Sequence, residues 1–277
     1  IALVTCQQFP NLDEDDGVLL VALANEGMEV SIEIWDDKTV DWTSLDLVIV
    51  RSTWDYAPRR DEFVAWAKSV PNIVNPAHII EWNTDKYYLK ALGEAGIDVV
   101  KTVWLDLERH FGSQAVHTRL PAFGDYVIKP TVSAGAQDTA RYQGVTAKAR
   151  GEAIMHVRDL LLSGKHVMIQ PYLNQIDEHG ETSLIFFDGK FSHAVRKNAM
   201  LSRGDAPSTE YLQEELSVEG ADTSYLAFAQ KVLDYAKQNV NNGEDFLYGR
   251  VDLIPNDEGE PVLLELELTE PTLFFGV

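Results

Sequence analysis

Short apolar runs alternate with amphipathic stretches along the first quarter of the chain. The runs that predict strands are Ile1 to Thr5, Glu29 to Trp35, Leu45 to Val50 and Asn72 to Val74. The stretches that predict helices are Val18 to Asn25 and Asp61 to Lys68. Strands and helices in such alternation form a parallel α/β sheet, whose ligands bind beyond the carboxyl ends of the strands.

The pattern changes after about residue 77. The stretches that predict helices are Asp85 to Glu94, Glu152 to Ser163 and Ser224 to Asn239. The runs that predict strands are Tyr126 to Pro130, His166 to Gln170, Glu181 to Phe187, Lys190 to Arg196, Phe246 to Ile254 and Pro261 to Leu268. Asp188-Gly189 between two of these strands is typical of a tight hairpin turn. The later part of the chain is therefore predicted to be α+β with an antiparallel sheet.

Charge narrows the classes of function. The 277 residues include 23 Lys and Arg against 44 Asp and Glu, which gives a formal net charge of −21. Such a surface repels a nucleic-acid backbone and an anionic membrane, so we expect neither as a partner. A phosphate-bearing ligand must then meet a local cationic pocket or a metal ion.

A few residues bear on the cellular compartment of the protein and on its self-association. Cys6 is the one cysteine, so no intrachain disulfide can form, which fits a reducing cytoplasm. No apolar run approaches the length of about 20 residues that a membrane span requires, and the first residues lack the basic start of a signal peptide. We expect a cytoplasmic protein. The apolar end from Phe274 to Val277 leaves a homo-oligomer open.

A group of carboxylates near the C-terminus is the strongest chemical signal. Arg250 and Asp252 are two residues apart in one predicted strand, and Glu265 and Glu267 are two apart in the next, so each pair shares a face. If these strands pair across the turn at residues 255–260, three carboxylates and one cation meet. Such carboxylates repel one another unless a divalent cation neutralises them, and oxygen ligands suit Mg²⁺ or Mn²⁺. The alternative is a solvated polar face on an amphipathic hairpin.

Two lysines are candidate phosphate ligands. Lys129 ends an apolar strand, where burial is costly without an anion, and the small-residue loop from Ser133 to Asp138 follows it. Lys86 would sit in the first turn of a helix capped by Asn83 or Thr84, where the helix dipole disfavours a cation. A snorkelling Lys129 and a solvated Lys86 are the alternative interpretations.

Three other segments carry weaker signals. Met168 to Leu173 leaves a strand through a proline, so its backbone groups are available to a purine edge, unless it is a simple strand exit. Arg196-Lys197 is a pair of cations at a strand end. The alternative interpretation is a pair of solvated side chains. Arg51 to Tyr56 follows an apolar strand, and the Arg51 guanidinium fits a carboxylate ligand. A surface turn is the alternative for that segment.

The order of these motifs resembles that of the ATP-grasp superfamily over essentially the whole chain. After a Rossmann-like unit come Asp85-Lys86, Ile128-Lys129-Pro130, Ile169-Gln170-Pro171-Tyr172, Arg196-Lys197, Arg250-Val-Asp252 and Glu265-Leu-Glu267. Two segments, Arg51-Ser-Thr-Trp-Asp-Tyr56 and Leu264-Glu-Leu-Glu-Leu-Thr-Glu-Pro271, are similar to a narrower subgroup. That subgroup comprises the cyclo-ligases that close O-ureido-D-serine to D-cycloserine in antibiotic biosynthesis.

The resemblance implies an α/β and α+β chain with an ATP-grasp fold, in which a Rossmann-like N-terminal domain precedes two lobes that clasp ATP. The implied divisions are an N-terminal, substrate-side domain over residues 1–76, a central domain with the lid subdomain over residues 77–170, and a C-terminal domain with the metal-binding strands over residues 171–277. In many members the third metal position is Asn and the lid has more glycines than here.

The resemblance also implies roles for individual residues. The implied ATP-binding residues are Lys86, Lys129, Ser133, Gly135, Gln170, Tyr172 and Lys197, with Asp177 and Glu181 as competing ligands of the ribose. Asp252, Glu265 and Glu267 would hold two Mg²⁺ ions, for which Mn²⁺ is a substitute. The implied catalytic residues are Arg250, Lys129 and Arg196. The implied substrate residues are Arg51, Ser52, Thr53, Asp55 and Glu270.

The implied activity is ATP- and Mg²⁺-dependent formation of a C–N bond through an acyl phosphate. The substrate would be a small amino-acid-like molecule, O-ureido-D-serine in the subgroup. One alternative is an intermolecular carboxylate–amine ligase resembling glutathione synthetase or the peptide ligases. An inactive nucleotide-binding regulatory module is another, which the presence of Arg250 and all three metal carboxylates disfavours.

Overall fold

The computed structural model describes residues 1–110, 112–144, 146–199, 201, 207–208 and 216–276, and within them three sheets organise the chain. The strands are β1 (Ala2–Thr5), β2 (Ser31–Ile34), β3 (Val48–Val50), β4 (Ile73–Val74), β5 (Val103–Leu105), β6 (Asp125–Pro130), β7 (Ala140–Gln143), β8 (Val167–Pro171), β9 (Glu181–Phe187), β10 (Lys190–Lys197), β11 (Leu216–Glu219), β12 (Tyr248–Pro255) and β13 (Pro261–Glu267). The helices are α1 (Gly17–Asn25), α2 (Arg60–Ser69), α3 (Ala77–Asn83), α4 (Tyr88–Glu94), α5 (Leu107–His110), α6 (Ser113–His117), α7 (Ala147–Leu162), α8 (Gln175–His179) and α9 (Thr223–Asn239).

The N-terminal sheet is parallel, with the strand order β2-β1-β3-β4, as the sequence predicts. The described residues of β1 and β3 are buried throughout, because parallel strands are covered on both faces. Aromatic rings fill the core beside this sheet, where Phe63 stacks on Tyr56 and on Trp66. The carboxyl end of β3 leads directly into the segment from Arg51 to Tyr56.

The other two sheets are antiparallel. The central sheet has the order β5-β8-β6-β7 and is covered by α7, and its strand β6 carries Lys129. The C-terminal sheet has the order β11-β10-β9-β12-β13. Asp188 and Gly189 both have positive φ, 50° and 69°, so they form the tight turn that the sequence predicts between β9 and β10.

The predicted strands and helices are all present, although several of their ends move by a few residues. The main correction concerns the helix predicted from Asp85 to Glu94. Asn83 ends the preceding helix α3 and Thr84 is its C-cap, so neither residue is an N-cap. The Lys86 backbone N–H instead donates to the Thr131 carbonyl at 2.9 Å, which ties this segment to the start of the small-residue loop.

Several elements are absent from the sequence prediction: α3, α5, α6, α8, β5, β7 and β11. All of them are short, so their hydrophobic periodicity is weak. The boundary predicted at residue 76 lies between β4 and α3, and the one predicted at residue 170 lies within β8. The division into three domains stays a prediction.

The apolar C-terminal end packs within its own chain. Phe274 is buried, and Phe275 stacks on Phe187 at 5.9 Å between ring centroids, whereas Val277 lies outside the described residues. Homo-oligomerisation stays a prediction. Cys6 is buried. Within the part of the chain that the structure describes, every helix is too short or too polar to cross a bilayer.

Candidate active site

A pocket opens where segments of the three sheets meet. Its charged lining residues are Lys86, Lys129, Glu181, Lys197, Arg250, Asp252, Glu265, Glu267 and Glu270. Its apolar lining residues include Val100, Val127, Ile176, Leu201, Ile254 and Leu264. The lining thus combines an apolar slot with a cluster of buried charges, which is the usual composition of a small-molecule site.

The pairing of β12 with β13 brings the predicted carboxylates together. Arg250 lies opposite Glu267 and Asp252 lies opposite Glu265, so the four side chains share one face, as predicted. The Arg250 Nη2 lies 2.9 Å from the Asp252 Oδ2, and the same guanidinium donates to Glu267. Ser183 of β9 donates to the Asp252 Oδ1 at 2.6 Å. This face is therefore an ordered ionic network within the pocket.

Two lysines approach this network from the central part of the chain. The Lys86 Nζ lies 2.8 Å from the Glu265 Oε1 and donates to the Ser133 carbonyl at 2.9 Å. The Lys129 Nζ lies 3.8 Å from the Glu265 Oε2. Burial opposes the charged form of both lysines, but Glu265, Glu267 and Glu270 together outweigh it at Lys86, so that the pKa of Lys86 is raised while the pKa of Lys129 is lowered.

Lys197 of β10 joins the network from a third side. Its Nζ lies 3.2 Å from the Asp252 Oδ2 and contacts Glu181. Burial would raise the pKa of Asp252, but Arg250 and Lys197 hold it well below its usual range. Glu267 differs, because burial and the neighbouring carboxylates outweigh its contact with Arg250 and raise its pKa to about 8.

The donor set of the network suits a hard divalent cation. Asp252, Glu265 and Glu267 offer only oxygen ligands, which Mg²⁺ prefers. Among the described residues, however, no three His, Cys, Asp or Glu side chains are grouped as a metal site. Each of the three carboxylates contacts a Lys or Arg side chain instead. The residues therefore fit the metal chemically, provided that these cations move to other partners.

The loop after β6 borders the pocket with small residues. Ser133, Gly135 and Ala136 line it, and the last two have φ of 59° and 57°. Positive φ at Gly135 costs little because glycine has no Cβ. Asp138 in the same loop lies 2.5 Å from the Lys165 Nζ, so the far end of the loop is anchored.

The two predicted ribose ligands occupy different places. Glu181 lines the pocket, whereas Asp177 accepts from the Tyr172 hydroxyl at 2.5 Å and pairs with Arg141 at 3.3 Å. The Arg141 guanidinium also lies over the Tyr172 ring. Tyr172 itself lines the pocket. Asp177 thus supports the wall of the pocket from behind.

Two further predicted residues lie beside the pocket. The Gln170 side chain is buried and donates to the Thr102 hydroxyl at 3.0 Å. Arg196 adjoins Lys197 in β10, and because successive strand residues point to opposite faces, Lys197 lines the pocket while Arg196 does not.

The residues predicted to bind substrate at the end of β3 have internal partners. The buried Arg51 Nε lies 2.8 Å from the Asp16 Oδ1, and its Nη2 donates to the Pro271 carbonyl at 2.9 Å. Ser52 donates to the other oxygen of Asp16 at 2.9 Å. These contacts join the N-terminal sheet to the segment that follows β13.

The side chains in the rest of this segment point alternately away from the pocket and towards it. Thr53 is buried, and Asp55 accepts from the Trp35 Nε1 at 2.8 Å and pairs with Arg59 at 2.9 Å. None of the four predicted residues of the segment lines the pocket, but Trp54 and Tyr56 do. The motif predicts that this segment borders the site, but the sequence does not show which of its side chains face the ligand.

Glu270 is the predicted substrate residue that does line the pocket. The Trp54 Nε1 donates to its carbonyl at 3.0 Å, and Tyr56 lies beside its carboxylate. Burial raises the pKa of the Glu270 carboxyl to about 7, although Tyr56 and Lys86 oppose the shift.

Comparisons with known proteins agree with this architecture. The family described as D-cycloserine synthetase DcsG, N-terminal domain, matches residues 1–78. The cycloserine biosynthesis protein DcsG of Streptomyces lavendulae is 34% identical over 285 residues, which cover 99% of this chain and 92% of that protein. The crystal structure of D-cycloserine synthetase DcsG is similar with a TM-score of 0.87 and 34% identity, covering 98% of this chain and 92% of that one. The D-alanine–D-alanine ligase of Bacillus anthracis has a similar fold, with a TM-score of 0.68, 14% identity and coverage of 98% and 87%.

Proposed function

Since this chain belongs to the D-cycloserine synthetase (DcsG) family and is an ATP-grasp ligase, we propose that it closes O-ureido-D-serine to D-cycloserine at the expense of ATP. The observation that carries this proposal is the pocket in which Lys86, Lys129 and Lys197 converge on the carboxylates of β12 and β13. Lysines beside oxygen-only metal ligands suit a nucleotide triphosphate and its Mg²⁺.

The nucleotide would lie along the pocket from the apolar slot to the lysines. Val127 and Leu264 offer apolar surface to the adenine, and Glu181 offers its carboxylate to the ribose. We favour Glu181 over Asp177 for that contact, because Glu181 lines the pocket whereas Asp177 lies behind its wall. The three lysines then neutralise the phosphates.

Asp252, Glu265 and Glu267 would hold Mg²⁺, which neutralises phosphate charge when bound. Their present partners are Lys and Arg side chains. When the phosphates take the lysines, Glu265 becomes available to the metal, whereas Asp252 and Glu267 must also exchange Arg250 for it. The network of the free protein thus keeps both sets of ligands close together, at the positions where they are needed.

The chemistry would proceed through an acyl phosphate. An oxygen of the substrate carboxylate attacks the γ-phosphorus, and the bond to ADP breaks. Arg250, fixed by Asp252 and by the Thr272 carbonyl, stabilises the charge on the transferred group. A nitrogen of the same molecule then attacks the carbonyl carbon and phosphate leaves. D-cycloserine lacks the carbamoyl group that this nitrogen carries in O-ureido-D-serine, so one water molecule must also hydrolyse that group, which leaves as carbon dioxide and ammonia.

The loop from Ser133 to Asp138 would act as a lid. An acyl phosphate hydrolyses in water, so the pocket must exclude solvent while it exists. Lys86 donates to the Ser133 carbonyl, which couples a phosphate ligand to the lid.

The test is the release of ADP and phosphate by the purified protein with MgATP. The substrates are O-ureido-D-serine, its L-enantiomer, and single amino acids or dipeptides with and without amine acceptors. Release with O-ureido-D-serine alone supports the cyclo-ligase. Release that requires a pair of substrates would replace it with an intermolecular ligase, and binding of ATP without turnover of any substrate would contradict both.

A further inference from the structure

Glu270 differs from the other carboxylates of the pocket in its partners. Glu181, Asp252, Glu265 and Glu267 each contact a Lys or Arg side chain. Glu270 forms no ion pair with any residue that the structure describes, and its carboxylate is approached by the neutral hydroxyl of Tyr56.

The charges of the pocket leave the same residue unmatched. Five carboxyl groups and four cationic side chains line it within the described part of the chain, so the carboxyl groups outnumber the cations by one. Because a carboxylate that is partly removed from water needs a charged or hydrogen-bonding partner, the unmatched group favours a cationic ligand. Burial raises the pKa of the Glu270 carboxyl, because it disfavours the charged form.

The backbone that carries Glu270 is held in position by hydrogen bonds to two consecutive carbonyls. Trp54 donates to the Glu270 carbonyl at 3.0 Å, and Arg51 donates to the Pro271 carbonyl at 2.9 Å. Tyr56 is buried and its ring stacks on Phe63 at 4.9 Å between centroids, so its hydroxyl is fixed as well. A carboxylate fixed in this way suits a ligand of defined shape.

We propose that Glu270 binds the α-ammonium group of the amino-acid substrate and that the Tyr56 hydroxyl orients the carboxylate for this contact. The inference rests on the proposed function, because it assigns one end of the substrate to the part of the pocket beside the N-terminal sheet. It makes Glu270 the residue that selects α-amino acids over the corresponding desamino or hydroxy acids.

The competing role for Glu270 is that of a base that accepts the proton of the ring-closing nitrogen. The two roles differ in binding. If Glu270 binds the ammonium group, its substitution weakens the binding only of molecules that carry this group. If Glu270 is a base, its substitution slows turnover and leaves binding unchanged.

The experiment measures binding by calorimetry in the presence of Mg²⁺ and a non-hydrolysable ATP analogue. The ligands are O-ureido-D-serine and its desamino counterpart, 3-(ureidooxy)propanoate. The variants are Glu270→Gln, which removes the charge, and Tyr56→Phe, which removes only the hydroxyl. The matched control is Glu258→Gln, which changes an exposed carboxylate in the turn after β12.

We expect Glu270→Gln to weaken the binding of O-ureido-D-serine by at least about 30-fold, which is the cost of removing one member of a buried charge pair. The affinities for the desamino analogue and for the ATP analogue should not change. Tyr56→Phe should weaken the same ligand by a smaller factor, and Glu258→Gln should change nothing. Equal weakening of both ligands, or no weakening of either, would overturn the inference.

Failure of the proposed substrate gives a different result. If wild-type protein binds the ATP analogue but not O-ureido-D-serine, the proposed function fails. The inference is then decided with D-serine and its desamino counterpart 3-hydroxypropanoate. Preference for D-serine that Glu270→Gln abolishes supports the inference, and any other result overturns it.

Discussion

Lys86 and Glu265 form an ion pair inside the pocket, with 2.8 Å between the Lys86 Nζ and the Glu265 Oε1. In our proposal the lysine is a ligand of the phosphates and the glutamate is a ligand of Mg²⁺. The two groups therefore hold each other in the free protein. Nucleotide and metal must separate them. The phosphates then compensate the charge of Lys86, and Mg²⁺ compensates the charge of Glu265.

This ion pair predicts that Mg²⁺ and ATP bind synergistically. ATP with EDTA would take Lys86 and leave Glu265 without a cation, while Mg²⁺ alone would leave the lysine without an anion. We expect MgATP to raise the melting temperature by more than the sum of the two separate shifts, measured by differential scanning fluorimetry. Additive shifts would argue against the exchange of partners.

Glu265→Gln should impair both turnover and stability. It removes a proposed metal ligand and also leaves Lys86 and Lys129 without their carboxylate. We expect turnover to fall by at least about 100-fold, because charge stabilisation of the phosphoryl transfer is lost, together with a lower melting temperature. Full activity of Glu265→Gln in the ADP-release assay would refute the metal assignment. Glu260→Gln in the exposed turn after β12 is the control.

Arg51 predicts a large effect on stability. Its side chain is 2% exposed, and that of its partner Asp16 is 3% exposed. Arg51→Ala leaves a buried aspartate unpaired, which costs about 3–5 kcal/mol in the free energy of unfolding. Urea denaturation measures the loss, and Arg119→Ala, at an exposed position, is the control. A loss below about 1 kcal/mol would contradict a structural role for this pair.

His156 predicts a pH dependence of stability. Burial lowers its pKa to about 4 in the folded protein, so between pH 4 and about 6.5 the unfolded chain binds the proton more readily. The contribution of neutral His156 to the free energy of unfolding is present above about pH 6.5. It is lost as the pH falls towards 4, by up to about 3 kcal/mol. His156→Gln should flatten the slope of stability against pH in this window, whereas His117→Gln, at an exposed position, should not. Equal slopes for wild-type protein and His156→Gln would contradict the shift.

The sequence predicts those parts of the site that depend on local patterns. Asp252 and Glu265 could be placed together because strand residues two apart share a face and a short turn joins the two strands. The Asp188-Gly189 turn could be predicted because its two positive φ angles favour these residue types. Both inferences need only neighbouring residues.

Other features depend on distant parts of the chain. Arg51 has the residue type of a carboxylate ligand, but the carboxylate it pairs with is Asp16, 35 residues away, and it also donates to the Pro271 carbonyl. The sequence likewise could not choose between Arg196 and Lys197, since the face that each one occupies depends on how β10 pairs with its neighbours. Non-local pairing decides both cases.

The most direct test of the central claim follows the carboxylate oxygen of the substrate. O-ureido-D-serine labelled with ¹⁸O in its carboxylate is incubated with the protein and MgATP alone, and the phosphate released is analysed by mass spectrometry. An acyl phosphate places one labelled oxygen in each phosphate, because the oxygen that attacks the γ-phosphorus leaves with it. Unlabelled phosphate, released together with ADP, would contradict the proposed reaction.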